Sequence, residues 1–181
     1  MRKLFVTAMI CAALTTMLCS GCNARHSSMT PKVSDLLNVP QDQLLSFALR
    51  GVGVQIYACK AVDKDPGKFD WAFIAPEAAL LDHGGNRVGK HYVGPTWEAN
   101  DGSKVVGEVL AKDNGPDPDA IPWLLLRAIT NTGTGVFSRI TSVQRLNTAG
   151  GKAPTDACTQ AKGGIEIRIP YTADYYFYTA R

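Results

Sequence analysis

The sequence predicts a mainly β fold, a single-domain sandwich or barrel-like structure with one or two short helices. Three observations carry that expectation. Short runs of alternating apolar and polar residues recur from Leu44 to the C-terminus. Clusters of Gly, Pro, Asn and Asp punctuate them. Only two cysteines, Cys59 and Cys158, lie in that stretch, so the core rather than a dense disulfide framework must hold the domain.

The chain begins with Arg2 and Lys3, followed by an uncharged apolar run from Leu4 to Leu18. The run is shorter than the roughly 20 residues of a membrane span. A basic start, a short apolar stretch and small residues behind it describe a secretory signal over residues 1–21. Leu18-Cys19-Ser20-Gly21-Cys22 resembles a bacterial lipobox with Cys22 as the lipidated residue, although Cys19 occupies the usual Leu position. Plain cleavage between Ser20 and His26 is the alternative. The expected location is therefore an outer-membrane-associated or periplasmic lipoprotein, or else a secreted protein. Its only membrane association would be the lipid anchor.

Residues 22–43 are polar, with Pro31 and Pro40, and read as a tether. A helical turn near Ser34 to Leu37, capped by Ser34, fits within it. Residues 44–181 form the β-rich domain. Val52, Val54, Ile56 and Ala58 share one strand face, and Gln55, Tyr57 and Cys59 the other. Phe69, Trp71 and Phe73 alternate again, Lys104 to Leu110 is rich in Val, and Gly135 to Leu146 mixes β-branched with polar residues. Ile165, Ile167 and Ile169 form another alternating run, and Tyr175 to Tyr178 a last aromatic one. Turns are expected at Asp65-Pro66-Gly67, Gly84-Gly85-Asn86, Asn100-Asp101-Gly102, Asn114-Gly115-Pro116 and Gly150-Gly151. Two segments favour helix: Pro76 to Leu81 as a single turn, and the apolar run Ile121 to Thr130, with Pro122 in a first helical turn.

The 181-residue chain carries 19 basic and 16 acidic residues. Removing residues 1–21 takes away only Arg2 and Lys3, leaving 17 against 16 and a net charge of +1. That balance gives no basic stripe for nucleic acid. The sequence contains no dinucleotide or phosphate loop, no Gly-x-Ser-x-Gly elbow, no HExxH and no paired CxxC. No cofactor is expected, and no metal ligand set is assigned. In an exported chain, Cys59 and Cys158 are most simply a disulfide, and two separate thiols are the competing reading.

The densest motifs are Gly53-Val-Gln-Ile-Tyr57 with Cys59, Trp71-Ala-Phe-Ile-Ala-Pro-Glu77, His91-Tyr-Val-Gly-Pro-Thr-Trp-Glu98 and Asp101-Gly-Ser-Lys-Val-Val-Gly107. They continue through Ala120-Ile-Pro-Trp-Leu-Leu-Leu126, Gln144-Arg145, Ala153-Pro154, Cys158 and Pro170-Tyr-Thr-Ala-Asp-Tyr-Tyr-Phe-Tyr178. In this order they resemble the family labelled domain of unknown function 3455, found in bacterial and fungal secretomes. The resemblance implies one secreted domain and a Cys59–Cys158 pairing, and supplies no function.

His91, Glu98 and Asp101 lie within eleven residues and are the candidate catalytic residues, with Asp82 and His83 just upstream. Brought together, the His91 imidazole and the Glu98 carboxylate could act as base and orienter, or share a metal ion. Tyr92 and Trp97 would then wall a ligand site. The structural alternative puts Trp97 in the core and has Glu98 accept hydrogen bonds in its loop. Trp71, Trp97, Trp123 and the Tyr171 to Tyr178 cluster could stack on sugars or pack in the core. Arg139 and Arg145 could hold an anion or lie along solvent. Asp174 could cap a turn.

The expected function is a non-catalytic envelope or secreted module that binds a small molecule, glycan or protein. One alternative is a hydrolase or metal-assisted enzyme centred on His91 and Glu98. Another is a purely structural envelope protein.

Overall fold

The computed structural model describes residues 31–181; the signal segment and Cys22 lie outside the described residues. Eight antiparallel strands follow one another around a closed barrel. They are β1 (Gln43–Val62), β2 (Asp65–Leu81), β3 (Arg87–Tyr92), β4 (Thr96–Ala99), β5 (Lys104–Asp113), β6 (Trp123–Thr132), β7 (Ile140–Gly150) and β8 (Glu166–Ala180). Closure comes from β8 pairing with β1, from Gln43 opposite Ala180 to Ala58 opposite Glu166. Two short 3-10 turns, Asp35–Leu37 and Gln160–Lys162, are the only helical elements among the described residues. Of the two β architectures expected, the barrel is the one formed.

Strand alternation sends every second side chain inward. The interior packs Leu80, Trp97, Val105, Leu126, Val143, Tyr175 and Phe177 into one cluster. Aromatic rings meet edge-on there: Trp97 lies 5.5 Å from Tyr175 and 6.0 Å from Phe177, at 71° and 85°, an arrangement that suits the ring quadrupoles. A narrow eight-stranded barrel accepts such rings only opposite small residues. A Cβ on Gly51 would fall 2.5 Å from the Tyr175 ring, and one on Gly107 3.1 Å from Trp97.

On β1 the orientation reverses what hydropathy suggests. Gln55 and Tyr57 are buried, while Val52 is exposed and Val54 and Ile56 are half-buried. The polar face is the inner one.

Both segments read as helical are strands. Pro76 to Leu81 lies in β2, with Pro76, Ala78 and Leu80 buried at a period of two. Trp123 to Thr130 lies in β6. Its leucine run is apolar on both faces because both are covered there: Leu126 joins the interior, while Leu125 packs outside with Leu37 and Leu146; Ile129, further along, is exposed. Pro122 starts no helix; its carbonyl accepts hydrogen bonds from Arg145. The first turn falls at Asp63–Lys64, with Asp65-Pro66-Gly67 already inside β2. Gly150 and Gly151, at φ of 65° and 83°, bend the chain at the end of β7 without reversing it as a hairpin. Ile165 to Ile169 and Tyr175 to Tyr178 belong largely to one strand, β8, which runs through Pro170.

The Asp35–Leu37 turn docks on the barrel wall. Leu37 is fully buried, and its carbonyl accepts from Gln144 Nε2 at 2.7 Å. Ser34 does not cap this turn; its hydroxyl donates to Asp113 at 2.7 Å. Cys59 and Cys158 form a disulfide, tying the end of β1 to the segment before β8 across 99 residues.

Candidate functional site

The hairpin of β3 and β4 carries most of the sequence-designated residues. Its register sets His91 opposite Trp97, Lys90 opposite Glu98 and Tyr92 opposite Thr96. Alternation therefore divides the group. His91 and Trp97 face the interior and are 2 % and 1 % exposed. Tyr92 and Glu98 face outward, where the Tyr92 hydroxyl donates to Glu98 at 2.8 Å. His91 and Glu98 stand on opposite sides of the wall and cannot form a base–orienter pair. Nor do Tyr92 and Trp97 form one wall of a pocket.

His91 lies flat on Trp97, with ring centroids 4.5 Å apart, and is tilted against Tyr175 at 5.0 Å. Its Nδ1 lies 2.9 Å from the Thr96 carbonyl oxygen. A carbonyl only accepts, so Nδ1 carries the proton and Nε2 holds the lone pair. Burial pushes the imidazole pKa down to about 3, with a smaller contribution from the Arg145 charge, and against the Thr96 hydrogen bond. His91 is thus neutral at physiological pH.

Glu98 sits between Lys104 at 3.3 Å and Lys90 at 3.4 Å. The Tyr92 hydrogen bond, and then Lys104, hold its carboxyl below the usual range. Asp101 occupies the β4–β5 turn and accepts from Ser103 N at 2.8 Å, Ser103 Oγ at 2.6 Å and Val136 N at 3.0 Å. The Ser103 side-chain bond, followed by the two backbone bonds, lowers its pKa. This carboxylate fastens the β4–β5 turn to the loop before β7. Asp82 does a similar local task, accepting from Asn86 N at 2.8 Å, and His83 is exposed beside it. Among the described residues, no group of three His, Cys, Asp or Glu side chains is placed to hold a metal ion.

The other designated residues scatter. Trp71 donates to the Asp156 carbonyl at 2.9 Å, and Trp123 packs against Gly115. Arg139 is exposed. Asp174 lies within β8 and accepts from Asn147 at 2.9 Å, so it caps no turn.

Two arrangements were not assembled from the sequence. The first is a groove of about 530 Å³ on the outer wall across β8, β1, β2 and β3. Val52, Val54 and Ala79 contribute apolar surface to it, and Arg87, Lys90, Arg168 and Tyr92 line it. Glu77 is the one acidic lining residue and pairs with Arg168 at 2.8 Å. The second is an inner polar group of Gln55, Tyr57, Arg145, Tyr171 and Tyr175. Tyr57 donates to the Gly151 carbonyl at 2.7 Å, and the Tyr171 and Tyr175 hydroxyls lie 3.0 Å apart. The shared strand face of Gln55 and Tyr57 was the available signal for this group. It becomes informative once that face is known to be inner.

Residues 40–179 match the family model described as "Protein of unknown function (DUF3455)". No curated protein and no solved structure matches the chain.

Proposed function

Because the chain belongs to the DUF3455 family, which carries no assigned activity, we propose that it is an exported, non-catalytic binding module whose ligand lies in the outer groove. The groove is the observation that carries this reading. Its volume falls in the range of small-molecule sites. Of its three cations, Arg168 pairs with Glu77 and Lys90 shares Glu98 with Lys104, which leaves Arg87 as the lining cation without a carboxylate partner among the described residues. An amphiphile with an anionic head and a short apolar tail matches that pattern: the head meets Arg87 and Lys90, and the tail covers Val52, Val54 and Ala79.

The enzyme alternative centred on His91 and Glu98 draws no support, since the barrel wall separates the two side chains. Export and anchoring at Cys22 rest on the N-terminal sequence alone. Mass spectrometry of the N-terminal peptide from a membrane fraction tests them. A diacylated Cys22, abolished in Cys22→Ser, is expected; an unmodified N-terminus beyond Cys22 would refute anchoring.

Calorimetric titration with octyl phosphate tests the groove. Saturable binding is expected, weakened about tenfold or more in Arg87→Ala/Lys90→Ala, which corresponds to about 1.4 kcal/mol. Octanol, lacking the charge, should bind more weakly. Absence of saturable heat, or equal affinity in the variant, would remove the groove as the site.

A further inference from the structure

Independently of the groove, we propose that the barrel interior holds a small oxyanion, a carboxylate or phosphate group, at a site built from Arg145, Gln55 and the Tyr171–Tyr175 hydroxyl pair. Arg145 lies on β7, opposite Tyr175 of β8 and Leu124 of β6. Its Nε and Nη2 donate to the Pro122 carbonyl oxygen at 3.1 and 2.8 Å. That partner is neutral and fixes the plane of the fork, leaving the Nη1 donors uncommitted.

Lys90, Lys104, Arg127 and Arg168 each pair with a carboxylate on the outer surface. Arg145, half-buried, has no carboxylate within ion-pairing distance among the described residues. The ionisable groups that interact with it are Tyr57, Tyr171, Tyr175 and His91. Burial keeps the three phenols protonated at neutral pH and the imidazole uncharged. The guanidinium is thus drawn partly out of water with only neutral groups around it, an arrangement that is costly without a counter-ion.

Gln55 is a second, independent sign. It is 2 % exposed, and its amide Nε2 has no hydrogen-bond partner within 3.5 Å; the nearest group it acts on is the Tyr171 hydroxyl, whose pKa it lowers from slightly longer range. Unpaired buried donors are rare in native proteins. The Gly151 bend holds Gln55 beside Tyr171: a Cβ at position 151 would lie 2.8 Å from Tyr171 Cβ and 3.1 Å from Gln55 Cγ. In the Tyr171–Tyr175 pair one hydroxyl donates to the other, which leaves one proton free to donate onward. Guanidinium, amide and hydroxyl thus all offer donors. An oxyanion accepts from each of them and neutralises the charge, and a carboxylate or phosphate edge matches the fork of Arg145.

The test uses the purified protein in sodium acetate, sodium phosphate and sodium chloride at equal ionic strength. Thermal melts and the Nε–H resonance of Arg145 are the two readouts. A saturable rise in Tm of about 5 °C in acetate or phosphate over chloride is expected, with a parallel displacement of the Arg145 resonance. The anion with the lower half-saturation identifies the ligand as carboxylate or phosphate. Arg145→Met should abolish the response, Gln55→Leu should weaken it, and Arg145→Met should melt higher than the unmodified protein in chloride. Equal melting in all three salts with a fixed Arg145 resonance would overturn the site. The same rise in Arg145→Met would also overturn it, as a general salt effect. If Arg145→Met does not fold, the resonance titration of the unmodified protein decides alone.

Discussion

His91 and Trp97 stack face to face across β3 and β4, with 4.5 Å between ring centroids and 15° between their planes. The contact places an ionisable ring in the buried interior of the barrel, where burial opposes its charged form. It makes His91 a measure of the integrity of the core.

The first expectation concerns acid. The His91 pKa is about 3 in the folded protein and 6.5 when unfolded. Above pH 6.5 the imidazole is neutral in both states, and stability is unaffected. As pH falls from 6.5 to 3 the unfolded chain takes up the proton first, and stability is lost, by up to about 5 kcal/mol. Glu98 and Asp101, with lowered pKa values, add losses at the acid end. Urea unfolding at pH 7, 5 and 4 should show a distinctly flatter pH slope for His91→Phe than for the unmodified protein. Equal slopes would mean that the imidazole is hydrated.

Trp97 is buried, and its indole N–H has no hydrogen-bond partner. Trp97→Phe loses ring volume but also removes an unsatisfied donor. We expect it to cost about 1–2 kcal/mol, against about 3–5 kcal/mol for Trp97→Ala. Denaturant midpoints at constant slope would measure both; a Phe variant as damaging as the Ala variant would argue that the N–H is bonded.

Asp101 and Glu98 should separate in stability measurements. Asp101→Ala orphans the Ser103 and Val136 amides and is expected to cost about 1–3 kcal/mol. Glu98→Gln removes solvent-screened ion pairs and should cost clearly less than Asp101→Ala. A reversed order would indicate that the Glu98 network, not the Asp101 turn, fastens this end of the barrel.

Non-reducing peptide mapping should recover Cys59 joined to Cys158. Closing a loop of about 100 residues is worth at most about 4.7 kcal/mol, so Cys59→Ala/Cys158→Ala should lower the urea midpoint measurably. Two alkylatable thiols in the native protein would exclude the bond.

Strand character was legible along β1, β5 and β8 because a period of two and turn residues are local properties. The orientation of β1 was not. Which face is inner depends on the rings that arrive from β4 and β8 and need Gly51 and Gly107 opposite them. The same gap misled the reading of β6: Leu125 is apolar on the outer face only because Leu37, 88 residues earlier, covers it. His91 and Glu98 looked convergent because sequence distance hides parity. Seven positions apart across a hairpin with His91 opposite Trp97, they fall on opposite sides of the sheet.

The pairing of β8 with β1 has a consequence for biosynthesis. The last strand supplies Tyr171, Ala173, Tyr175 and Phe177 to the interior and fills the gap between the first strand and the seventh. Until it arrives, β1 and β7 each present an open edge, and Gly51 has no aromatic ring above it. A chain emerging N-terminus first can therefore collapse but cannot lock. The ring closes only when the fifteen-residue β8 is added, so a chain cut after Asp174, which lacks the Tyr175 and Phe177 rings, should fail to close the barrel.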